Sequence, residues 1–218
     1  AGLVRSAFGL QGQKCSAASR IFIEAPIYDE LVERLVKATE DLSMGDPTDR
    51  KNFLGPVINK GAYRDYQAYV AELDAAGTIL TGGKVLTEGE YAHGYFCAPT
   101  VAELPYGHHL WKDEMFMPIT TLGKFTDREE AMRMANDVNY GLTAGFYGAE
   151  DEVDWFFDKI QAGVAYANRP QGSTTGAWPG FQPFGGWKGS GSTGKNSGGV
   201  HYLQLYMHEQ TRTSVRKA

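Results

Sequence analysis

Only two cysteines, Cys15 and Cys97, occur in the 218 residues, far apart and without CxxC spacing. That excludes a disulfide scaffold and a cysteine-ligated zinc site, predicts two free thiols and fits a reducing compartment. Apolar runs long enough to span a bilayer are missing, as is the charged, apolar, then small-residue pattern of a leader. Neither a membrane span nor a signal peptide is expected, and the setting this implies is cytoplasmic, or the mitochondrial matrix in a eukaryote. There is no basic block, and 21 Lys and Arg stand against 26 Asp and Glu, a balance that does not suit nucleic acid or an anionic membrane. The first residue is not methionine, and residues 1–8 read as the middle of a helix with Leu3, Val4, Ala7 and Phe8 on one face and no cap before it. A chain cut from something longer is the expectation. The length suits one large domain with a substantial core.

What is present starts with residues 8–20, where Cys15 sits among small residues: Gly9 and Gly12 let the backbone approach a ligand, Lys14 places a positive charge beside the sulfur, and nothing bulky follows until Ile21. A neighbouring cation favours the nucleophilic thiolate. A lone cysteine is more often a small buried hydrophobe, so this neighbourhood makes Cys15 a candidate and no more. Cys97, inside an extended segment, reads as an ordinary buried thiol.

Along the chain, residues 20–24 have strand composition, and Pro26 leads into a helix with Ile27, Leu31, Leu35, Ala38 and Leu42 inward. Asn59 is an N-cap for a second helix carrying Tyr63, Tyr66, Val70 and Leu73, stopped by Gly77 and followed by a strand over 78–80. Residues 95–104 read as one extended segment. A strand over 118–125 is followed by a helix opened by a Thr126 and Glu129 capping box, a strand over 142–147, a helix with an acidic first turn at Glu150, Asp151 and Glu152, and a strand over 164–167. Strands alternating with helices predict an α/β fold with a parallel open sheet flanked by helices. Residues 169–199 are crowded with Gly, Ser, Thr and Pro and interspersed with Trp178, Phe181, Phe184 and Trp187, which predicts an ordered, site-forming loop. Residues 202–215 read as an exposed β arm whose free edge would pair with another chain.

Two features are set aside. The run Gly189-Ser190-Gly191-Ser192-Thr193-Gly194-Lys195 matches GxGxxG and nearly a phosphate loop, but it lacks the strand before and the helix after that would aim amides at phosphate. His108 and His109 are adjacent, so their side chains need not converge, and a third ligand at metal spacing is missing; a surface turn is expected and no metal.

Three separated pieces remain: Gly12-Gln13-Lys14-Cys15, then Asp113-Glu114-Met115-Phe116-Met117-Pro118, then Gln182-Pro183-Phe184-Gly185-Gly186. Their ordered set resembles the aldehyde dehydrogenase superfamily over essentially the whole chain, as that family's catalytic domain (residues 1–199) plus its oligomerisation arm (residues 200–218), without the dinucleotide-binding domain. The resemblance implies that Cys15 is the nucleophile, that Glu114 holds the nicotinamide-side ribose of NAD or NADP, that Phe116 packs beside the nicotinamide and that Phe184 lines the aldehyde pocket. The Gly-Gln-Lys-Cys-Ser-Ala run and Thr175-Gly176-Ala177 look like the 1-pyrroline-5-carboxylate (glutamate semialdehyde) dehydrogenase branch, in which Ser16 and the amides of Gly176 and Ala177 would anchor the substrate carboxylate. Met117 and Trp178-Pro179 depart from that branch's pattern.

By this resemblance an aldehyde carbon is attacked by Cys15, hydride leaves to the cofactor, and the resulting thioester is hydrolysed. The general base, the asparagine of the oxyanion hole and the cofactor domain of the family lie upstream of the cysteine. The isolated chain is therefore expected to be inactive and to bind no cofactor tightly. Still open are a catalytically incompetent free-standing domain acting in assembly or substrate binding, and a dehydrogenase of another carboxylate-bearing semialdehyde. The partners implied are a small aldehyde and, through the 202–215 arm, further copies of the chain.

Overall fold

The computed structural model describes residues 1–170, 181–191 and 197–216. The chain opens with helix α1 (Gly2–Phe8) and a tight turn over Gly9–Gly12, then enters strand β1 (Arg20–Glu24) and helix α2 (Tyr28–Glu40). Helix α3 (Lys60–Ala76) begins where expected: the Asn59 side chain accepts the Ala62 amide at 2.9 Å, and the Gly77 amide closes the other end on the Leu73 carbonyl. Strands β2 (Thr78–Thr81), β3 (Val85–Leu86), β4 (Phe96–Cys97), β5 (Thr100–Glu103) and β6 (Ile119–Phe125) follow. Helix α4 (Arg128–Asn136), strands β7 (Tyr140–Gly141) and β8 (Thr143–Phe146), helix α5 (Val153–Lys159), strand β9 (Val164–Ala167) and strand β10 (Trp187–Lys188) complete the order.

The main sheet runs β1-β6-β5-β2, with β1, β6 and β5 parallel and β2 antiparallel at the edge. Successive strand residues face opposite sides. Val101 and Leu122 therefore pack with Val4, Ala7, Phe8 and Leu35 from α1 and α2, while Ala102 and Ile119 pack with Tyr66 and Leu73 from α3. The result is three layers, helices on both faces of a parallel-dominated sheet, as the sequence pattern predicts. Two of its buried polar side chains are paired with backbone: Tyr66 donates to the Ala98 carbonyl at 2.7 Å, and the Trp111 indole donates to the Leu104 carbonyl at 3.0 Å.

Several local expectations need correction. Ile27 is exposed; Tyr28 takes the inward place and donates its hydroxyl to Glu103 at 2.7 Å. The extended segment over 95–104 is two strands interrupted at Ala98-Pro99, since proline has no ladder donor. The cap of α4 is Asp127, which accepts the Glu129 amide at 2.9 Å; Glu129 itself holds Trp155 and Lys159. Strands β8 and β9 pair in parallel, but as a two-stranded sheet of their own over a small core of Met132, Phe156 and Ile160. Arg20 ties that unit to the main sheet by donating to the Met134 and Ala135 carbonyls at the end of α4, where a cation opposes the helix dipole. The arm is exposed as expected but holds no strand in residues 200–216: a short 3-10 turn spans Leu203–Tyr206 and no regular structure follows, because a strand needs a partner. Among the described residues no helix is long and apolar enough to cross a membrane.

Candidate active site

Cys15 is held by a loop tied down at both ends. Upstream, α1 is fixed by the burial of Val4, Ala7 and Phe8. The chain then turns left-handed through three consecutive residues, Leu10, Gln11 and Gly12, with φ of 55°, 58° and 66°. Two of these are not glycine, a conformation that costs roughly 1–2 kcal/mol per residue and persists only where surroundings enforce it. At Gly12 any Cβ would fall on the Met117 carbonyl oxygen, so the cysteine loop lies directly against the backbone of the second motif. The Gln13 carboxamide oxygen accepts the Ile58 amide at 2.9 Å. Downstream, the Ala18 amide returns to the Ser6 carbonyl, and Thr120 and Thr121 donate their hydroxyls to the Ala18 and Ser19 carbonyls as the chain enters β1.

Between these anchors the Ala17 amide bonds the Lys14 carbonyl at 3.0 Å, closing a four-residue turn with Cys15 and Ser16 at its two central positions. The Cys15 side is exposed and its thiol is free; Ser16, next to it, is 5% exposed. Among the described residues neither the Cys15 amide nor the Ser16 hydroxyl has a hydrogen-bond partner. A buried hydroxyl left so costs about 1–3 kcal/mol unless a ligand accepts from it. The Lys14 stem folds back over Gly9, and its burial pulls the ammonium below the ordinary lysine range, opposed by the charge of Cys15. Cys97 is the reverse case: fully buried in β4, with its thiol pushed up to about 12 by desolvation.

The second motif alternates. Met115 and Met117 are buried in the main core, while Glu114 and Phe116 face outward. Phe116 has φ of 57°, a strained geometry for an aromatic residue that turns its ring to the surface beside the loop gripping Gly12. Crowding around the Glu114 carboxyl raises its pKa by desolvation, a penalty that a pair of donated hydroxyls would relieve. These two residues therefore fit the ribose and nicotinamide end of a dinucleotide. Among the described residues no strand-to-helix phosphate cradle is seen: the GxGxxG match at Gly189 follows the two-residue β10, and its second half lies outside the described residues.

Phe184 is half-buried, and its amide donates to the Ser197 carbonyl at 2.8 Å. The segment after it packs closely on the β8–β9 unit: at Gly163, just before β9, any Cβ would collide with the Gly185 carbonyl, and a Cβ at Gly186 would collide with Ser190. Phe184 is thus anchored through the β8–β9 unit, whereas Glu114 and Phe116 are joined to the Cys15 turn directly. Gly176 and Ala177 lie outside the described residues, and so does Trp178-Pro179. One cluster was missed. His108 and His109 do converge: their rings stack at 4.7 Å, and Glu72 from α3 meets both. The partner lies in a separate helix, so no spacing near the histidines could announce it.

The turn that presents the Cys15 thiol, the outward Glu114 and Phe116 and the anchored Phe184 all fall within residues 1–212, the stretch that the aldehyde dehydrogenase family pattern matches. The chain belongs to the aldehyde dehydrogenase family. Among curated relatives it is 37% identical over 211 residues to a 1-pyrroline-5-carboxylate dehydrogenase of Geobacillus thermodenitrificans, covering 96% of this chain and 39% of that protein. Its identity to the Bacillus subtilis protein of the same name is 37% over 215 residues, 98% of this chain and 40% of the relative. Among solved structures, 1-pyrroline-5-carboxylate dehydrogenase from Thermus with bound NAD superposes with a TM-score of 0.85 at 39% identity, covering 94% of this chain and 38% of that one. Betaine aldehyde dehydrogenase from Staphylococcus aureus gives a TM-score of 0.87 at 26% identity, over 94% of this chain and 40% of its own. The chain thus spans about two fifths of the length of the curated relatives it matches.

Proposed function

We propose that Cys15 is the nucleophile of an NAD(P)-dependent oxidation of a carboxylate-bearing aldehyde, L-glutamate 5-semialdehyde, the open form of 1-pyrroline-5-carboxylate, being the first substrate to test. The observation that carries this reading is the Lys14–Ala17 turn, which combines an exposed thiol with an amide at the same residue and a buried hydroxyl one residue on, neither of them partnered among the described residues. The thiolate sulfur forms a bond to the aldehyde carbon while the carbonyl electron pair moves to oxygen, giving a thiohemiacetal. The Cys15 amide would donate to that oxyanion, an interaction worth far more in the reacting state than in the ground state. Ser16 donates to the substrate carboxylate, with Gly176 and Ala177 proposed as its other anchors, and Phe184 walls the pocket. Glu114 and Phe116 hold the ribose and nicotinamide ends of NAD or NADP, which when bound supplies the hydride acceptor.

The similarity to proteins named 1-pyrroline-5-carboxylate dehydrogenase supports the choice of aldehyde. Two free thiols fit a reducing, cytoplasmic compartment. Residues 1–199 would act as the catalytic domain. The test is a chimaera in which this chain replaces the matching stretch of the Bacillus subtilis relative. It should reduce NAD with glutamate semialdehyde, and Cys15→Ala should abolish this; activity that survives Cys15→Ala rejects the assignment.

A second reading concerns the arm. Leu203, Tyr206, Met207 and Val215 are 72%, 72%, 69% and 88% exposed, a row of apolar groups without cover. Residues 200–218 are proposed to pair with another copy of the chain, an assembly role that does not require catalysis.

A further inference from the structure

On the face of the molecule formed by α3 and the turn that follows β5, three ligating groups converge outside the cysteine site. Glu72 projects from α3 next to the fully buried Leu73, and the turn carrying His108 and His109 is pinned by Leu110 and Trp111, both buried. The turn is braced by its own backbone bonds: the His108 amide to Pro105, Trp111 to His108, and Lys112 and Asp113 to His109. The Nε2 atom of His108 lies 3.4 Å from a Glu72 carboxylate oxygen, and the Nε2 atom of His109 contacts the same oxygen. One donor atom from each of the three residues lies within 4.8 Å of the others.

His109 holds the informative detail. Its other ring nitrogen, Nδ1, lies 2.7 Å from Asp113 Oδ2. A neutral imidazole has one proton, so it can serve only one of two facing carboxylates; the second needs another proton or a metal cation. A carboxylate on the far nitrogen of a histidine is the arrangement that fixes tautomer and ring orientation at metal sites.

We propose that Glu72, His108 and His109 form a binding site for a divalent transition metal of the zinc type, with Asp113 orienting His109 and with solvent completing the coordination. Two imidazoles and one carboxylate suit Zn²⁺, and nitrogen donors disfavour Ca²⁺ and Mg²⁺. Tetrahedral ligands about 2.1 Å from zinc stand roughly 3.4 Å apart, which His108 and Glu72 already meet; Glu72 has only to swing back from His109 to admit the ion. The side chains of His109 and Glu72 are 56% and 37% exposed, so entry is open. On binding, His109 Nε2 loses its proton to solvent and keeps Nδ1–H on Asp113. His108 gives up its long 3.3 Å bond from the Leu110 amide and carries its proton on Nδ1. The ion would clasp α3 to the segment leading into Glu114.

The test is titration of the 218-residue protein with ZnCl₂ against a chromophoric chelator, in a Cys15→Ala background so that the exposed thiol captures no metal, with circular dichroism confirming the fold of each variant. One equivalent is expected to bind, with His109→Ala and Glu72→Gln each weakening it at least about tenfold, Asp113→Asn by about tenfold or more, and the exposed His93→Ala not at all. Co²⁺ should give the intense visible bands of a tetrahedral site in the parent and lose them in His109→Ala. Absence of a stoichiometric site in the folded protein, or binding unchanged in His108→Ala and His109→Ala, overturns the proposal and leaves a protonated His109 between two carboxylates. Should a variant unfold, the same titration in the Bacillus subtilis chimaera decides.

Discussion

Gly12 rests on the carbonyl of Met117 so closely that no side chain fits between them. Through this contact the turn that presents Cys15 and the loop that presents Glu114 and Phe116 are one object. Gly12→Ala should therefore cost about 1–2 kcal/mol for the positive φ alone, and more for the collision, and should displace both motifs. Denaturant unfolding reads the stability. Alkylation of Cys15 in the native state reads the displacement, because a shifted turn changes the rate at the thiol while a merely weakened fold does not.

The two thiols should part company under alkylation. Iodoacetamide near pH 8 is expected to modify one cysteine in the native protein, Cys15, and both after denaturation. Burial pushes Cys97 up to about 12, above its unfolded value, so the folded chain keeps its proton longer. The associated stability is fully present below the unfolded pKa of roughly 8.5 and is lost as pH rises toward 12. Peptide mapping after labelling at two pH values checks both statements.

Ser16→Ala should separate anchoring from chemistry. Its hydroxyl is buried and has no partner among the described residues, and a hydrogen bond to a charged carboxylate contributes about 1.5–3 kcal/mol. In the Bacillus subtilis chimaera, kcat/KM for glutamate semialdehyde is expected to fall about 10- to 100-fold, and that for propanal to change little. Equal losses would remove Ser16 from the carboxylate site.

Deleting the chain after Gly199 removes Leu203, Tyr206, Met207 and Val215. Light scattering should then show a lower oligomeric state for the truncated protein than for its parent, without loss of the circular dichroism of the main sheet. An unchanged mass would show that the arm is not the contact between copies.

Elements set by neighbours in sequence were the legible ones. Asn59 and Gly77 bound α3 as local chemistry dictates, and β1 and β9 coincide with their apolar runs. Asp127 displaced Thr126 as a cap because either residue type serves, and only backbone direction chooses between them. The separation of β8 and β9 from β6 depends on how Arg20 and the end of α4 hold the two units, which no strand pattern encodes. In the candidate site, Cys15, Glu114, Phe116 and Phe184 were picked out by their motifs, and their roles are proposals. The left-handed Leu10 and Gln11 were not legible, since their own types argue against such a turn. Glu72 was invisible for a related reason: what makes it a partner of His108 and His109 is the packing of α3, not any spacing.

Acid quench during turnover of the chimaera, followed by proteolysis and mass spectrometry, tests the role of Cys15 most directly. The peptide carrying Cys15, released by cleavage after Lys14 and Arg20, should gain the mass of the substrate's acyl group, and the gain should vanish in Cys15→Ser together with turnover. Full turnover with no adduct at Cys15, or an adduct on another residue, would contradict the account.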